Sequence, residues 1–297
     1  MIRTVGRAVV HRIEETVQLS FKPEVLFPTH DPEAIARHAH WMVPDHFDAA
    51  EGRFRTSVHG FLVKTGRHNV LIDTCGGNHR NRPYLPRFHQ RDWPWLDRLR
   101  AAGVEPEEVD YVMCTHLHCD HVGWHTMLKD GRWVPTFPNA KYLFHRVELE
   151  RWDNTRPDYK PHPLNEFVWD DSVAPVLQAG LGVTIDDGYQ LDDMLTVEPA
   201  PGHTLGHVRI RLASAGAEAM FSGDLMHMPI QVYYPRWHTC IDDDPALGIA
   251  SRLKLLEDCV ARDALLMPTH FAAPHACRIR AGADGFAIEW AAMAEAA

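Results

Sequence analysis

The residues best equipped for chemistry sit in one short run, Tyr111-Val112-Met113-Cys114-Thr115-His116-Leu117-His118-Cys119-Asp120-His121-Val122-Gly123. Three imidazoles and a carboxylate fall between His116 and His121. Side chains of an extended backbone alternate with period two, so His116 and His118 project to the same side and can share a cation. A tight turn then carries Asp120 and His121 towards a second cation. Imidazole with carboxylate suits zinc or a similar borderline ion, whereas calcium prefers oxygen ligands throughout. By the same alternation Cys119 points away from the ligands and reads as structural. No Ser-His-Asp or Cys-His arrangement is evident.

These residues need a strand to deliver them. Val109–Thr115 is a short apolar strand that runs directly into the histidines. Before it, His59–Lys64 and Asn69–Asp73 read as strands of a hairpin joined across Thr65-Gly66-Arg67-His68, and Trp95–Ala102 as a helix stopped by Gly103. After it come a strand at Lys141–His145 and a helix at Arg146–Trp152. The second half repeats the theme: strands at Val183–Ile185, Leu195–Pro199, His207–Leu212 and Ala219–Ser222, a helix at Pro245–Val260, a strand at Leu265–Met267, and a C-terminal helix near Ala283–Ala294. Strands in runs with intervening helices indicate an α/β layered protein. No linker or low-complexity tract divides the chain, so residues 1–297 read as one domain. Residues 1–54 supply a strand near Val9–Val17 and then an irregular arm or lid from Phe21 to Phe54. Phe27, Trp41, Met42 and Phe47 are too apolar for a linker.

Composition excludes several partners. A formal net charge of −10, without clustered Lys or Arg, argues against nucleic acid. No apolar run approaches the roughly 18 residues of a membrane span, and the start lacks a secretory h-region, so a cytoplasmic protein is expected. Six cysteines without a Cys-x-x-Cys pairing read as reduced thiols. Histidine is the outlier, with 21 copies in an acidic chain. Oligomeric state is not legible, although the apolar arm is compatible with a homodimer.

The His-x-His-x-Asp-His run resembles that of the metallo-β-lactamase superfamily of hydrolases. Further stretches are similar to that family's pattern: Pro201-Gly202-His203-Thr204-Leu205-Gly206-His207, Phe221-Ser222-Gly223-Asp224 and Pro268-Thr269-His270-Phe271. The resemblance runs from about Ser57 to His270. It implies a four-layer αββα sandwich, two mixed sheets flanked by helices, with the site at one edge where loops from both halves meet. It also implies two Zn²⁺ ions per chain, with Mn, Fe or Co as alternatives. His116, His118 and His203 would hold one, Asp120, His121 and His270 the other, and Asp224 would bridge them. His rather than Glu at 118 separates the chain from the redox diiron branch. Asp rather than Cys at 224 separates it from one lactamase subgroup.

The same resemblance implies a metal-bound hydroxide as nucleophile, oriented by Asp120. Leaving-group protonation is assigned to His227, three residues after Asp224. Lactonases of the superfamily carry a Tyr nearby, which this stretch lacks. Asp73 is expected to buttress the ligand loop through hydrogen bonds, and His207 to have a supporting or strand role. Trp124, Met226, Met228, Phe271 and Trp41 are expected to wall an apolar pocket. The run His121-Val122-Gly123-Trp124 and the segment 224–232 look like the lactonase, organophosphate-hydrolase and hydrolytic-dehalogenase subgroup. The expected substrate is a small, largely uncharged molecule, a lactone or related ester, with a phosphotriester or a haloaromatic as alternatives. A non-catalytic metal-binding relative is the reading from another class. The glyoxalase II and RNA-processing branches fit less well.

Overall fold

The computed structural model describes residues 2–282 and 285–291. Two mixed sheets face each other. The first has eight strands; its main path runs Ile2–Val5, Ala8–Leu19, Arg53–Lys64, Asn69–Ile72, Tyr111–Met113, Lys141–His145, Gly182–Ile185. The expected hairpin is present, with Lys64 opposite Asn69. From Asn69–Ile72 onward this path is parallel. The second sheet has seven strands, from Gln190–Leu191 to Gly285–Trp290, and its single parallel pairing joins Ala217–Phe221 to Leu265–Met267.

Alternation explains the layering. On the strands facing the opposite sheet, Val10, Phe61, Val63, Val70, Ile72 and Met113 meet Leu195, Val197, Ile210, Leu212, Phe221 and Met267 in one buried cluster. The other face of the first sheet buries Leu62, Leu71, Val112 and Tyr142 against Trp95 and Leu99 of the helix Trp95–Ala101. The other face of the second sheet buries Met220, Leu266, Cys277 and Ile279 against Leu255, Leu256 and Cys259 of the helix Pro245–Arg262. That helix starts where its sequence dictates. Asp244 accepts the Leu247 N–H as N-cap, and Pro245 occupies the first turn. The result is the αββα sandwich expected from the motif.

Two expectations need correction. The stretch 283–294 is not a helix where it is described: Gly285–Trp290 is a strand paired with Cys277–Gly282. Its Ala and Glu content favoured a helix, but Phe286, Ile288 and Trp290 recur with period two and pack on the same core cluster. Residues 283–284 and 292–294 of that expectation lie outside the described residues. The arm is also more ordered than expected. It contains a helix at Pro32–Met42, capped by Asp31, which accepts the Glu33 N–H. Leu26, Phe27, Ala34, Met42 and Phe54 bury themselves against Met228, Ile230 and Trp237, so the arm is fastened to the segment that follows Asp224. A further hairpin, Thr126–Lys129 with Arg132–Pro135, was not foreseen.

The parallel strands matter most for the site. Asn69–Ile72 and Tyr111–Met113 point the same way in the first sheet. In the second, Leu195–Pro199 and Ala217–Phe221 are each antiparallel to Val208–Ser214, and Leu265–Met267 runs parallel to Ala217–Phe221. The C-terminal ends of like-directed strands therefore gather at one edge, where loops can converge.

Candidate metal centre

Each predicted residue leaves a strand end at that edge. His116–His121 follow Tyr111–Met113, and His203 follows Leu195–Pro199. Asp224 follows Ala217–Phe221, and His270 follows Leu265–Met267. His116, His118, His203 and Asp224 form one group whose donor atoms lie within 4.8 Å of one another; Asp120, His121 and His270 form a second. Asp224 stands between them. Its Oδ1 lies 3.1 Å from Nε2 of both His121 and His270. Its Oδ2 lies 3.4 Å from His203 Nε2 and 3.9 Å from His116 Nε2. Asp120 closes the second group, with Oδ2 3.7 Å from His270 Nε2. All seven predicted residues are brought together.

The backbone is shaped for this convergence. Gly223 has φ +47°, and a Cβ there would lie 2.5 Å from Thr115 Oγ1 and 2.7 Å from His207 Nε2. Gly202, with φ +132°, lets the His203 loop touch the helix Pro245–Arg262, where a Cβ would meet Gly248 N at 2.0 Å. Only glycine satisfies both conformation and clearance at these positions.

Partners on the far side of each ring aim it. His121 Nδ1 donates to Asp73 Oδ2 at 2.9 Å, and Asp73 also accepts from Thr115 N at 2.8 Å and Thr269 Oγ1 at 3.2 Å. Asp73 thus ties the two ligand-bearing loops together, as expected. His203 Nδ1 donates to Asp242 Oδ1 at 2.9 Å, and His270 Nδ1 to the Ser57 carbonyl at 2.9 Å. With the proton fixed on Nδ1, the Nε2 lone pair of each ring faces the centre. His207 donates to the Ala200 carbonyl and accepts the Asp224 N–H, the supporting role foreseen for it.

Two supporting carboxylates, Asp242 and Glu148, have no signature in the sequence. Asp242 stands in the run Ile241-Asp242-Asp243-Asp244, whose acids look like ordinary surface residues. Glu148 lies on the helix Arg146–Trp152, fully buried, and accepts from Leu117 N at 2.9 Å, Gly206 N at 3.0 Å and Trp152 Nε1 at 3.0 Å. One carboxylate thereby fastens the loop of His116–His121 to that of His203. Burial pushes its pKa up, against the hydrogen bonds that favour its charge. A buried acid on a short helix has no spacing signature.

Electrostatics distinguish the ligand set from a packed core. Burial opposes ionisation of Asp224, but the surrounding His121, His270 and His227 hold its carboxyl well below the usual range. Burial and the neighbouring His121 and His118 push His116 well below the usual imidazole range. Buried atoms left without a hydrogen-bond partner include His116 Nε2, His121 Nε2 and Asp224 Oδ1, all aimed inward. Buried polar atoms are rarely orphaned. Asp224 in turn raises His121 and His270 despite their burial, so cations bound here would take the place of those protons. Imidazole nitrogens around an ionised carboxylate are the donor set that divalent zinc takes, so the residues present fit two such ions.

A cavity of about 630 Å³, including its open mouth, has His118, Asp120, Asp224 and His270 as its floor. Its walls differ from those expected. Of the five predicted residues only Met228 lines it, joined by Phe21 and Leu26 of the arm and by Leu85, Phe88, Leu164 and Ile241. Trp124 is instead stacked on Trp95 at 5.4 Å, with Nε1 donating to buried Glu15. Met226 and Phe271 belong to the core under the long helix, and Trp41 packs on Tyr233. Cys119 does not turn away: the loop has left strand geometry there, and the residue borders the cavity. His227 also borders it, with Nε2 3.1 Å from Asp224 Oδ2, and so does His162, which stands in no recognisable motif. Among the described lining residues none is tyrosine.

The fold and this edge define a class of protein. The model of the metallo-beta-lactamase superfamily matches residues 53–270, and the chain belongs to that superfamily. It is similar to the N-acyl homoserine lactonase AttM of Rhizobium johnstonii, 34% identical over 162 residues that cover 50% of this chain and 56% of the relative. The chain thus spans little more than half the length of that curated relative. Among solved structures it is similar to hydrolase AbOPH of the beta lactamase superfamily, with TM-score 0.79, 23% identity, and coverage of 97% of this chain and 95% of the other. AidC, a dizinc quorum-quenching lactonase, gives TM-score 0.79 and 20% identity, covering 98% and 97%. At such identities these two structures establish the fold.

Proposed function

We propose that the chain is a dinuclear metal-dependent hydrolase that opens a lactone or related ester of a small, largely apolar molecule. The observation that carries this reading is Asp224, with one oxygen turned to each group of imidazoles beneath an apolar cavity. The activity named for AttM supports it. His116, His118, His203 and Asp224 would hold one ion and Asp120, His121, His270 and Asp224 the other, with zinc favoured by the imidazole-rich donors. Two such ions, when bound, acidify a water and polarise the substrate carbonyl.

The chain's own residues do the rest. Asp120 Oδ2, at the cavity floor, accepts the proton of the attacking water. His227 is buried, which pushes its pKa down, so at neutral pH it keeps one N–H. From the cavity wall that N–H hydrogen-bonds the departing oxygen; a neutral imidazole is too weak an acid to protonate it, so the proton transfer first assigned to His227 passes to Asp120 as the ring opens. Phe21, Leu26 and Phe88 exclude water from the acyl portion.

One experiment tests the reading. An acyl-homoserine lactone, a phosphotriester, a nitrocefin-type lactam and a chlorinated aromatic are offered with and without chelator to the wild type and to His227→Ala. The lactone is expected to be cleaved fastest, and chelator to abolish turnover. His227→Ala is expected to lower kcat by about 10²-fold while both metals stay bound. Preferential cleavage of the phosphotriester, or lactone cleavage that survives chelation, contradicts the proposal.

A further inference from the structure

The cavity contains a charge that hydrolysis as described does not use. Arg87 is the one Lys or Arg among its lining residues. Its guanidinium lies 5.1 Å from the ring centroid of Phe21 and 4.8 Å from that of Phe88, both of which line the same cavity. Its Nε is buried without a hydrogen-bond partner, and among the described residues no carboxylate lies within ion-pairing distance. The neighbouring arginines are treated differently. Arg82 makes a two-pronged bond to Asp171 at 2.7 and 2.9 Å, and Arg80 bonds the Asp171 carbonyl at 2.8 Å. Those two are spent on fastening the loop, whereas Arg87 is not.

The loop holds Arg87 in place beforehand. Leu85 N donates to the Arg82 carbonyl at 2.9 Å, Phe88 N to the Leu85 carbonyl at 2.8 Å, and Gln90 N to the Arg80 carbonyl at 2.9 Å. A guanidinium between two rings, fixed on a braced loop, loses little freedom on meeting a ligand. A half-buried guanidinium beside two aromatic rings, without a carboxylate partner, can take up a full opposite charge, and its planar fork matches a carboxylate with two parallel hydrogen bonds. A lysine would present a point charge without that geometry.

We propose that Arg87 is a specificity residue that binds a carboxylate carried on the apolar part of the substrate, away from the bond that is cleaved. This rests on the hydrolase reading above and refines its substrate to an anionic, acid-terminated lactone or ester. The apolar residues Leu85, Phe88 and Met228 accommodate the methylene spacer between the two ends.

The test uses two γ-lactones with the same alkyl chain, one ending in a carboxylate and the other in the isosteric primary amide. The wild type is expected to prefer the carboxylate by at least about tenfold in kcat/KM, mainly through KM, and to lose most of that preference in 0.5 M salt. Arg87→Met is expected to bring the ratio close to one, and Arg87→Lys to restore part of it. Binding of the two matching γ-lactams, which resist cleavage, is measured by calorimetry and is expected to show the same preference. A ratio at or below one in the wild type, or an undiminished ratio in Arg87→Met, overturns the proposal. Charge-selective lactam binding without turnover of either lactone would uphold Arg87 and refute the hydrolase reading instead.

Discussion

Asp224→Ala is expected to empty both halves of the site at once and to lower kcat/KM by about 10⁴-fold. Its two oxygens face the two groups: Oδ1 faces His121 and His270, and Oδ2 faces His203, His116 and His227. Removing the carboxylate leaves the first group with imidazoles alone and the second with Asp120 as its one negative charge. Substituting His118 alone should be less complete, because the second group does not contain it. Metal content by elemental analysis of Asp224→Ala, alongside its turnover, checks this. Retention of two ions per chain would remove Asp224 from the bridging position.

Glu148→Ala is the second large effect, and it acts through the backbone. The side chain is 1% exposed and accepts from three N–H groups, two of them on different ligand-bearing loops. Truncation leaves those donors buried and unpaired. The expected loss is about 4 kcal/mol of stability, or roughly a 10 °C fall in Tm. The ligands at His118 and His203 would also lose their shared anchor, with a loss of about 10–100-fold in metal affinity. Glu148→Gln keeps one acceptor oxygen and is expected to recover part of both. Thermal unfolding followed by circular dichroism decides it: a wild-type Tm in Glu148→Ala would show that the two loops hold their positions without this carboxylate.

The two substitutions also mark what was legible in the sequence. The residues from His116 to His121 were readable because a strand end followed by closely spaced donors has a local signature. His203, Asp224 and His270 were readable only through the family pattern, since a lone Asp after Gly223 looks like any turn. The layered fold followed from apolar strands whose side chains pack inward with period two. What escaped was set by distance in the chain. Glu148 and Asp242 act on partners dozens of residues away, and nothing near them signals it. The pocket walls escaped for the same reason. Trp124 and Phe271 are close to ligands in sequence, but side-chain direction sends them to the core, and Phe21, Leu85 and Phe88 arrive from other loops. The terminal strand Gly285–Trp290 was misread because Ala and Glu favour helices locally, whereas its period-two apolar face pairs with Cys277–Gly282.

The central claim is that two separated sets of histidines and aspartates, joined by Asp224, take up two divalent cations. The most direct measurement is the elemental content of the wild-type chain after dialysis against zinc and removal of loosely bound metal. The account predicts two ions per chain, both lost to a strong chelator and both restored on adding zinc back. A chain that retains one ion or none would contradict it.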